Sequence, residues 1–182
     1  IYIDVDIGTN KMRFTSNIIV KQIGTIATEK DILQSLGLTK KDNYVIGFAL
    51  GSNVKDVKNK IMNLNNVTLK SFKNASNIEI NDGLVATNMK FTLSFNNIDY
   101  TYTVVIKGDV NGDGLIYATD YVKVKNYIMG KTNLEKVYLC AADIDNDGNV
   151  YATDYVQIKN HIMGKSEILQ KQLNDILYKK IL

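Results

Sequence analysis

The sequence predicts an α+β module, mainly antiparallel sheet, followed by an all-α part made of two loop–helix units. Three observations carry this reading. Residues 1–108 string together short apolar and alternating runs broken by Asn, Asp and Gly, the pattern of strands and turns. Two amphipathic segments interrupt those runs at helical spacing. Beyond residue 108 the chain repeats itself: residues 117–131 and 151–165 agree at 12 of 15 positions, 34 residues apart.

Taken in order, "IYIDVDI" and "MRFTSNIIV" read as strands within residues 1–22, joined through "GTNK". "TEKDILQSLG" reads as a short helix, with Thr28 as N-cap, Asp31 three residues on and Gly37 as the stop. "YVIGFALG" from Tyr44 reads as a buried strand. "SNVKDVKNKIMNL" reads as a helix capped by Ser52, with Val54, Val57, Ile61 and Leu64 on one stripe. "NVTLKSF", "NIEI", "GLVATNMKFTLSF" and "DYTYTVVIKG" read as the remaining strands. Residues 41–107 thus form a small α+β module. Residues 1–40, strands plus a short helix, either belong to it or stand apart. No linker precedes residues 108–182, because "TYTVVIKG" runs directly into Asp109, so the two parts are expected to be coupled. In the first unit, Tyr121, Val124, Tyr127 and Ile128 share one helix side and Gly130 ends it. "SEILQKQLNDILYKKIL" adds a third amphipathic segment, striped by Leu169, Leu173, Ile176, Leu177 and Ile181. That stripe packs on the protein's own core or, alternatively, on a partner in a coiled coil.

The bulk numbers narrow the function classes. At 182 residues, 45% hydrophobic and 23% charged, the chain is ordinary for one or two globular domains. It has no run of 18 apolar residues, so no membrane span is expected. "IYIDVDIG" is neither an initiator Met nor a leader, as in an excerpt or a processed chain. The single cysteine, Cys140, excludes an internal disulfide, and its neighbours "VYLCAAD" suit a buried thiol. The net charge of +3 divides into +4 over residues 1–108 and −1 beyond, where 7 of 10 acids lie in the repeated loops. Arg13 is the only arginine and the lysines are scattered, which argues against nucleic acid as a partner.

The repeated loops carry chemistry. With Asp109 as position 1 of a twelve-residue frame, positions 3, 5, 7 and 12 are Asn111, Asp113, Leu115 and Asp120, with Gly114 at position 6. The second loop places Asp143, Asp145, Asp147, Asn149 and Asp154 at the same positions, with Gly148 at the sixth. This spacing wraps oxygen donors around Ca²⁺. Side chains come from alternate positions, glycine allows the sharp turn, a backbone carbonyl enters at position 7, and a carboxylate closes the shell from the next helix. No Cys/His set exists for zinc. The closing residue is Asp rather than Glu, which draws the helix start nearer the ion. Tyr117 and Tyr151 at position 9 are poor ligands, so a water is expected there. The competing reading is a pair of Asx/Gly turns without metal; two complete loops in one frame weigh against it. Two Ca²⁺ ions are expected, and their role is structural. Crowded carboxylates repel one another, and an ion at about a thousandfold excess over its Kd adds about 4 kcal/mol per site to the folded state.

The duplicated loop and helix at roughly residues 108–166 resemble a type I dockerin, a calcium-binding module of clostridial secreted proteins. Residues 41–108 resemble, less closely, a small module found before such repeats in clostridial surface proteins. The resemblance implies two EF-hand-like units related by a pseudo-twofold axis, each lacking an entering helix. It also implies a cohesin-like protein partner, a secreted or cell-surface location, and attachment to a cellulosome-like assembly or to enzymes of polysaccharide catabolism. The family's contact positions fall here on Ala118, Thr119, Lys125 and Asn126, and again on Ala152, Thr153, Lys159 and Asn160. The two sets are identical in type, so a half-turn would present nearly the same face. Ala118 and Ala152 stand where a hydroxyl is common, which bears on the choice of partner.

Catalysis is not expected. The only histidine, His161, takes the slot of Tyr127 in the other unit and reads as a helix-face residue. No paired-carboxylate constellation, nucleophile elbow, P-loop or dinucleotide fingerprint appears. Three readings stand: a calcium-folded docking module, a structural module packed on residues 1–108, and the non-catalytic end of a glycoside hydrolase.

Overall fold

The computed structural model describes residues 28–170 in full and residues 2–7 and 10–15 as backbone. Strands β1 (Tyr2–Ile7) and β2 (Asn10–Thr15) pair antiparallel from Tyr2↔Thr15 to Ile7↔Asn10. The rest of the first predicted strand region, residues 16–22, lies outside the described residues.

Helix α1 (Glu29–Ser35) starts on the capping box read from the sequence. Thr28 Oγ1 accepts from Asp31 N at 3.2 Å, and Asp31 Oδ2 accepts from Thr28 N at 2.9 Å. Strands β3 (Thr39–Lys41) and β4 (Tyr44–Ile46) form a hairpin. Helix α2 (Val54–Met62), β5 (Thr68–Lys73), β6 (Lys90–Phe95) and β7 (Ile98–Val104) follow. The five strands form one sheet in the order β3-β4-β7-β6-β5, antiparallel except for β4 against β7. A mainly antiparallel α+β module is the observed architecture.

Its core forms where the helical stripes meet the inward side chains of the sheet. Ile32 and Leu33 of α1 and Val54, Val57 and Ile61 of α2 cover Phe72, Phe91, Leu93, Tyr102 and Val104. Strand pairing aligns Phe72 with Phe91 and Phe91 with Tyr102, so three aromatic rings ladder across neighbouring strands, with centroids 5.5 and 5.2 Å apart. The Tyr102 hydroxyl donates to Glu29 Oε1 at 3.0 Å and ties α1 to the sheet. Replacing Phe91 by Ala is expected to remove about 3–5 kcal/mol, read as a lower urea midpoint of this module.

Several local expectations change. The cap of α2 is Asn53, whose Oδ1 accepts from Lys55 N at 2.7 Å, because the Ser52 hydroxyl is already spent on Ala49 O. The strand expected from Tyr44 stops at Ile46. Gly47, at φ +129°, turns the chain where any side chain would strike Gly37 O. "NIEI" is no strand but a loop held by one bridge, Lys73↔Glu79, and by Phe72 N donating to Glu79 Oε1. Of "GLVATNMKFTLSF", only residues from Lys90 onward are extended in the sheet. Residues 84–89 lie off the sheet instead: Leu84 bridges to Asn53, residues 87–88 turn, and Asn88 sits at φ +73°.

The C-terminal part holds α3 (Ala118–Ile128), α4 (Lys136–Ala142) and α5 (Ala152–Ile162). Val110, Ile116, Val124, Ala142, Ile158 and Ile168 form its core. Helix α4 is not foreseen by the sequence pattern, and it leads straight into Asp143. The second loop therefore has a helix on each side, contrary to the expected absence of an entering helix, whereas the first is entered from β7. Cys140 on α4 is half-buried rather than buried. Ile128, expected on the inner side of α3, is 40% exposed. In the last predicted segment, Ile168 is buried and Leu169 is exposed, and residues 166–170 are not helical. Leu173, Ile176, Leu177 and Ile181 lie outside the described residues. No described helix is long and apolar enough to cross a membrane.

Candidate metal centre and docking face

The first loop wraps around its first aspartate through three inward N–H groups, and the second reaches its own through one, from Gly148. In the first, Asp109 is fully buried. Its Oδ1 accepts from Gly112 N at 2.7 Å and Asp113 N at 3.1 Å, and its Oδ2 accepts from Gly114 N at 3.1 Å. Asn111 Oδ1 accepts from Asp113 N, and Asp113 Oδ1 accepts from Leu115 N, both at 2.9 Å. The second loop repeats the ladder: Asp145 Oδ1 takes Asp147 N and Asp147 Oδ1 takes Asn149 N. Such Asx turns gather three carboxylates in the second loop, whereas Asp109, Asp113 and Asp120 of the first do not come together as a trio.

The closing aspartates bind the loop to its helix. Asp120 Oδ1 accepts from Val110 N and Asn111 N at 2.8 and 2.9 Å, and Oδ2 accepts from Tyr117 N at 2.9 Å. Asp154 repeats this with Ile144 N at 2.7 Å and Tyr151 N at 2.9 Å. Each thereby accepts the N–H of the residue that caps its helix, Tyr117 or Tyr151. One residue thus caps the helix and pins the first turn of the loop.

The donor set can be tested against a hard cation. Asp143, Asp145 and Asp147 bring carboxylate oxygens within 4.8 Å of one another, with Asp154 outside that trio. The first loop has the amide of Asn111 where the second has Asp145. Asp143 is 6% exposed, and its Oδ1 has no hydrogen-bond partner. A desolvated carboxylate oxygen left alone is costly, and a divalent ion resolves that cost. Burial pushes the carboxyls of Asp109, Asp120 and Asp143 above the usual carboxylate range, against hydrogen bonds or, at Asp143, a nearby lysine that pull them down. The residues fit Ca²⁺: all oxygen donors and mostly acidic. When bound, the ion supplies the positive charge that lets these carboxylates sit together.

The repeats meet at Tyr121 and Tyr155, which hold the same place in the two units. Their rings stack with centroids 4.4 Å apart at 24°, and their hydroxyls hydrogen-bond to each other. Equivalent residues touch in this way only near an axis that exchanges the units. Away from it, Ala118, Thr119, Lys125, Ala152, Thr153 and Lys159 are exposed, and Asn126 and Asn160 are half-buried. The structure adds apolar positions that the sequence pattern does not flag. Val122 and Val156 are each 47% exposed, and Tyr117, Ile128 and Met129 are exposed together with Tyr151, Ile162 and Met163. The available signal was their identity in both repeats. His161 Nδ1 accepts from Ile168 N at 3.3 Å and secures the chain after α5.

Lys107 is a further residue whose role depends on the fold. It is 2% exposed, and its Nζ donates to Cys140 O at 2.7 Å and Asp143 O at 2.5 Å. It thereby caps the C-terminal end of α4 with positive charge. Its backbone exchanges two hydrogen bonds with the Gln170 side chain. Desolvation pulls the Lys107 amine below its ordinary range. Replacing Lys107 by Met is expected to cost about 1–3 kcal/mol, because the two carbonyls lose their donor; thermal unfolding of the full chain measures it.

Known proteins bear on this site as follows. Residues 107–163 match the model of the dockerin type I domain. Two solved structures show a mutated dockerin of ScaB with the third cohesin of ScaC from Acetivibrio cellulolyticus, the mutation lying in the N-terminal helix in one and the C-terminal helix in the other. The matched chain of the first is 31% identical and the match covers 36% of this chain and 93% of that one, with a TM-score of 0.34. For the second the values are 30%, 37%, 97% and 0.34. No curated protein matches the sequence. Residues 107–163 of this chain are a dockerin type I domain.

Proposed function

We propose that the C-terminal part is a non-catalytic docking module that binds a cohesin-like protein through α3 and α5 and is held in shape by two Ca²⁺. The ligands are Asp109, Asn111, Asp113, the Leu115 carbonyl and Asp120 in one loop, and Asp143, Asp145, Asp147, the Asn149 carbonyl and Asp154 in the other. One observation carries the docking reading: the same polar and apolar residues are exposed on both helices, on either side of the Tyr121–Tyr155 contact. Exposed apolar side chains ringed by polar ones mark interaction surfaces. Thr119, Lys125 and Asn126, with their counterparts Thr153, Lys159 and Asn160, form the polar contacts, beside the small Ala118 and Ala152. A secreted or cell-surface protein, where calcium is abundant, is the setting this chemistry suits.

Intramolecular packing is part of the same picture. Ile46 and Val105 of the first module pack against Val137 and Ala141 of α4. This contact uses α4 and the first loop, leaving the paired exposed residues of α3 and α5 free. The structural reading and the docking reading therefore use different surfaces. Calorimetry of the full chain against a panel of cohesins, with calcium and with EDTA, tests the proposal. Calcium-dependent binding to at least one cohesin is expected; silence across the panel in calcium overturns it.

A further inference from the structure

The two loops agree at 7 of their 12 positions and have different surroundings. Behind the first lies residue segment 84–87 of the N-terminal module. Thr87 N donates to Asp109 Oδ2 at 2.8 Å, which brings the donors on that carboxylate to four. A side chain on Gly114 would stand 2.8 Å from Val85 O, and one on Gly112 would stand 3.2 Å from Thr87 O and 3.1 Å from the Tyr138 hydroxyl. The loop backbone is thus pressed against the module. The segment is itself fixed: Val85 N donates to Ser52 O, Ile106 N to Thr87 Oγ1, and Asn88 N to Val104 O, at 2.8, 3.1 and 2.9 Å.

The second loop is held differently: Lys107 Nζ reaches the Asp143 backbone oxygen, but among the described residues no group of the N-terminal module donates to the Asp143 carboxylate. Gly148, the counterpart of Gly114, would meet nothing within 4 Å. Asp143 accepts one N–H, from Gly148 at 3.2 Å, and its other oxygen is unpartnered though buried. The repeat departs from itself where this matters. Position 4 is Gly112 in the first loop and Asn146 in the second, both left-handed at φ +79° and +62°. Asn tolerates that backbone, so conformation alone does not require Gly112. The closeness of Thr87 O and the Tyr138 hydroxyl leaves a side chain there little room, so one of them has to give way to any larger residue.

Resting on the calcium reading above, we propose that residues 84–87 are a positioning element for the first loop. The two sites then take calcium inequivalently: the first loop is ordered before the ion arrives, and the second is ordered by it. Preorganisation removes an ordering cost from the first site only.

Backbone-amide NMR of the full chain, titrated with calcium from the chelated state, reads each loop separately. In chelator, amides of residues 109–116 stay protected from exchange while those of 143–150 do not. On titration the first loop fills at a calcium concentration about tenfold lower, the worth of one charge-assisted hydrogen bond. Gly112→Asn raises the first midpoint toward the second, while Asn146→Gly leaves the second midpoint in place. Should Gly112→Asn unfold the module, the exchange pattern of the unaltered chain decides by itself. Equal midpoints, or loops that gain and lose protection together, overturn the proposal and leave the calcium reading intact. Resonances of both loops that ignore calcium overturn both.

Discussion

Exhaustive chelation is expected to lower the unfolding midpoint of the C-terminal part by about 15–30 °C for each ion removed, relative to millimolar calcium. The size follows from linkage. An ion present at a thousandfold excess over its Kd contributes about 4 kcal/mol per site, and a unit of this size shifts by about 4–8 °C per kcal/mol. The residue-level cause lies in the burial of Asp109, Asp120 and Asp143, whose charged forms are disfavoured without a neighbouring cation. Asp143 has the most to lose, since its Oδ1 finds no protein donor. Differential scanning calorimetry with and without EDTA makes the measurement. The transition of the N-terminal module, whose core is Phe72, Phe91, Tyr102 and the two helical stripes, should move far less. A C-terminal transition indifferent to EDTA would remove the structural role assigned to the ions.

The second large effect is expected at the docking face. Val122→Asp alone and Val156→Asp alone should each weaken binding to a cohesin that binds the unaltered chain by less than about threefold, while the double variant weakens it by more than about a hundredfold. Either helix can lead if the units are interchangeable, so one intact face rescues the other; the loss appears only when both carry a buried, unpaired charge. Both valines are 47% exposed, so the variants should retain the fold, checked by an unchanged thermal midpoint in calcium. A full loss from either single substitution would show that only one orientation is used. Binding untouched in the double variant would place the face elsewhere.

Much of this was legible because it is local. Thr28, Asp31 and Gly37 mark α1 through a cap whose partners are three residues apart. Phe91, Leu93 and Phe95 alternate with polar neighbours because a strand buries every second side chain. The loop positions of Asp109 to Asp120 and of Asp143 to Asp154 are set by turns that close within five residues and by a final aspartate that reaches back about ten. What was not legible depends on residues far apart in the chain. Helix α4 lacks a strong polar–apolar rhythm, and its inner face exists because Ile46 and Val105 arrive from the other module. Ser52 reads as the cap of α2 until Ala49 O claims its hydroxyl. Lys107, an ordinary lysine in a strand-like run, becomes a buried cap only where the chain after β7 meets the end of α4.

By itself the sequence determined the α+β and helical parts, the two oxygen-lined loops and the repetition that makes α3 and α5 alike, since each is written in residues within a turn or a strand of one another. Tertiary structure alone decided that the loops are unlike in their support, that the N-terminal module leaves both helix faces open, and that Thr87 reaches Asp109. Those outcomes depend on which distant surfaces exclude water together, and burial of that kind has no signature in the order of neighbouring residues.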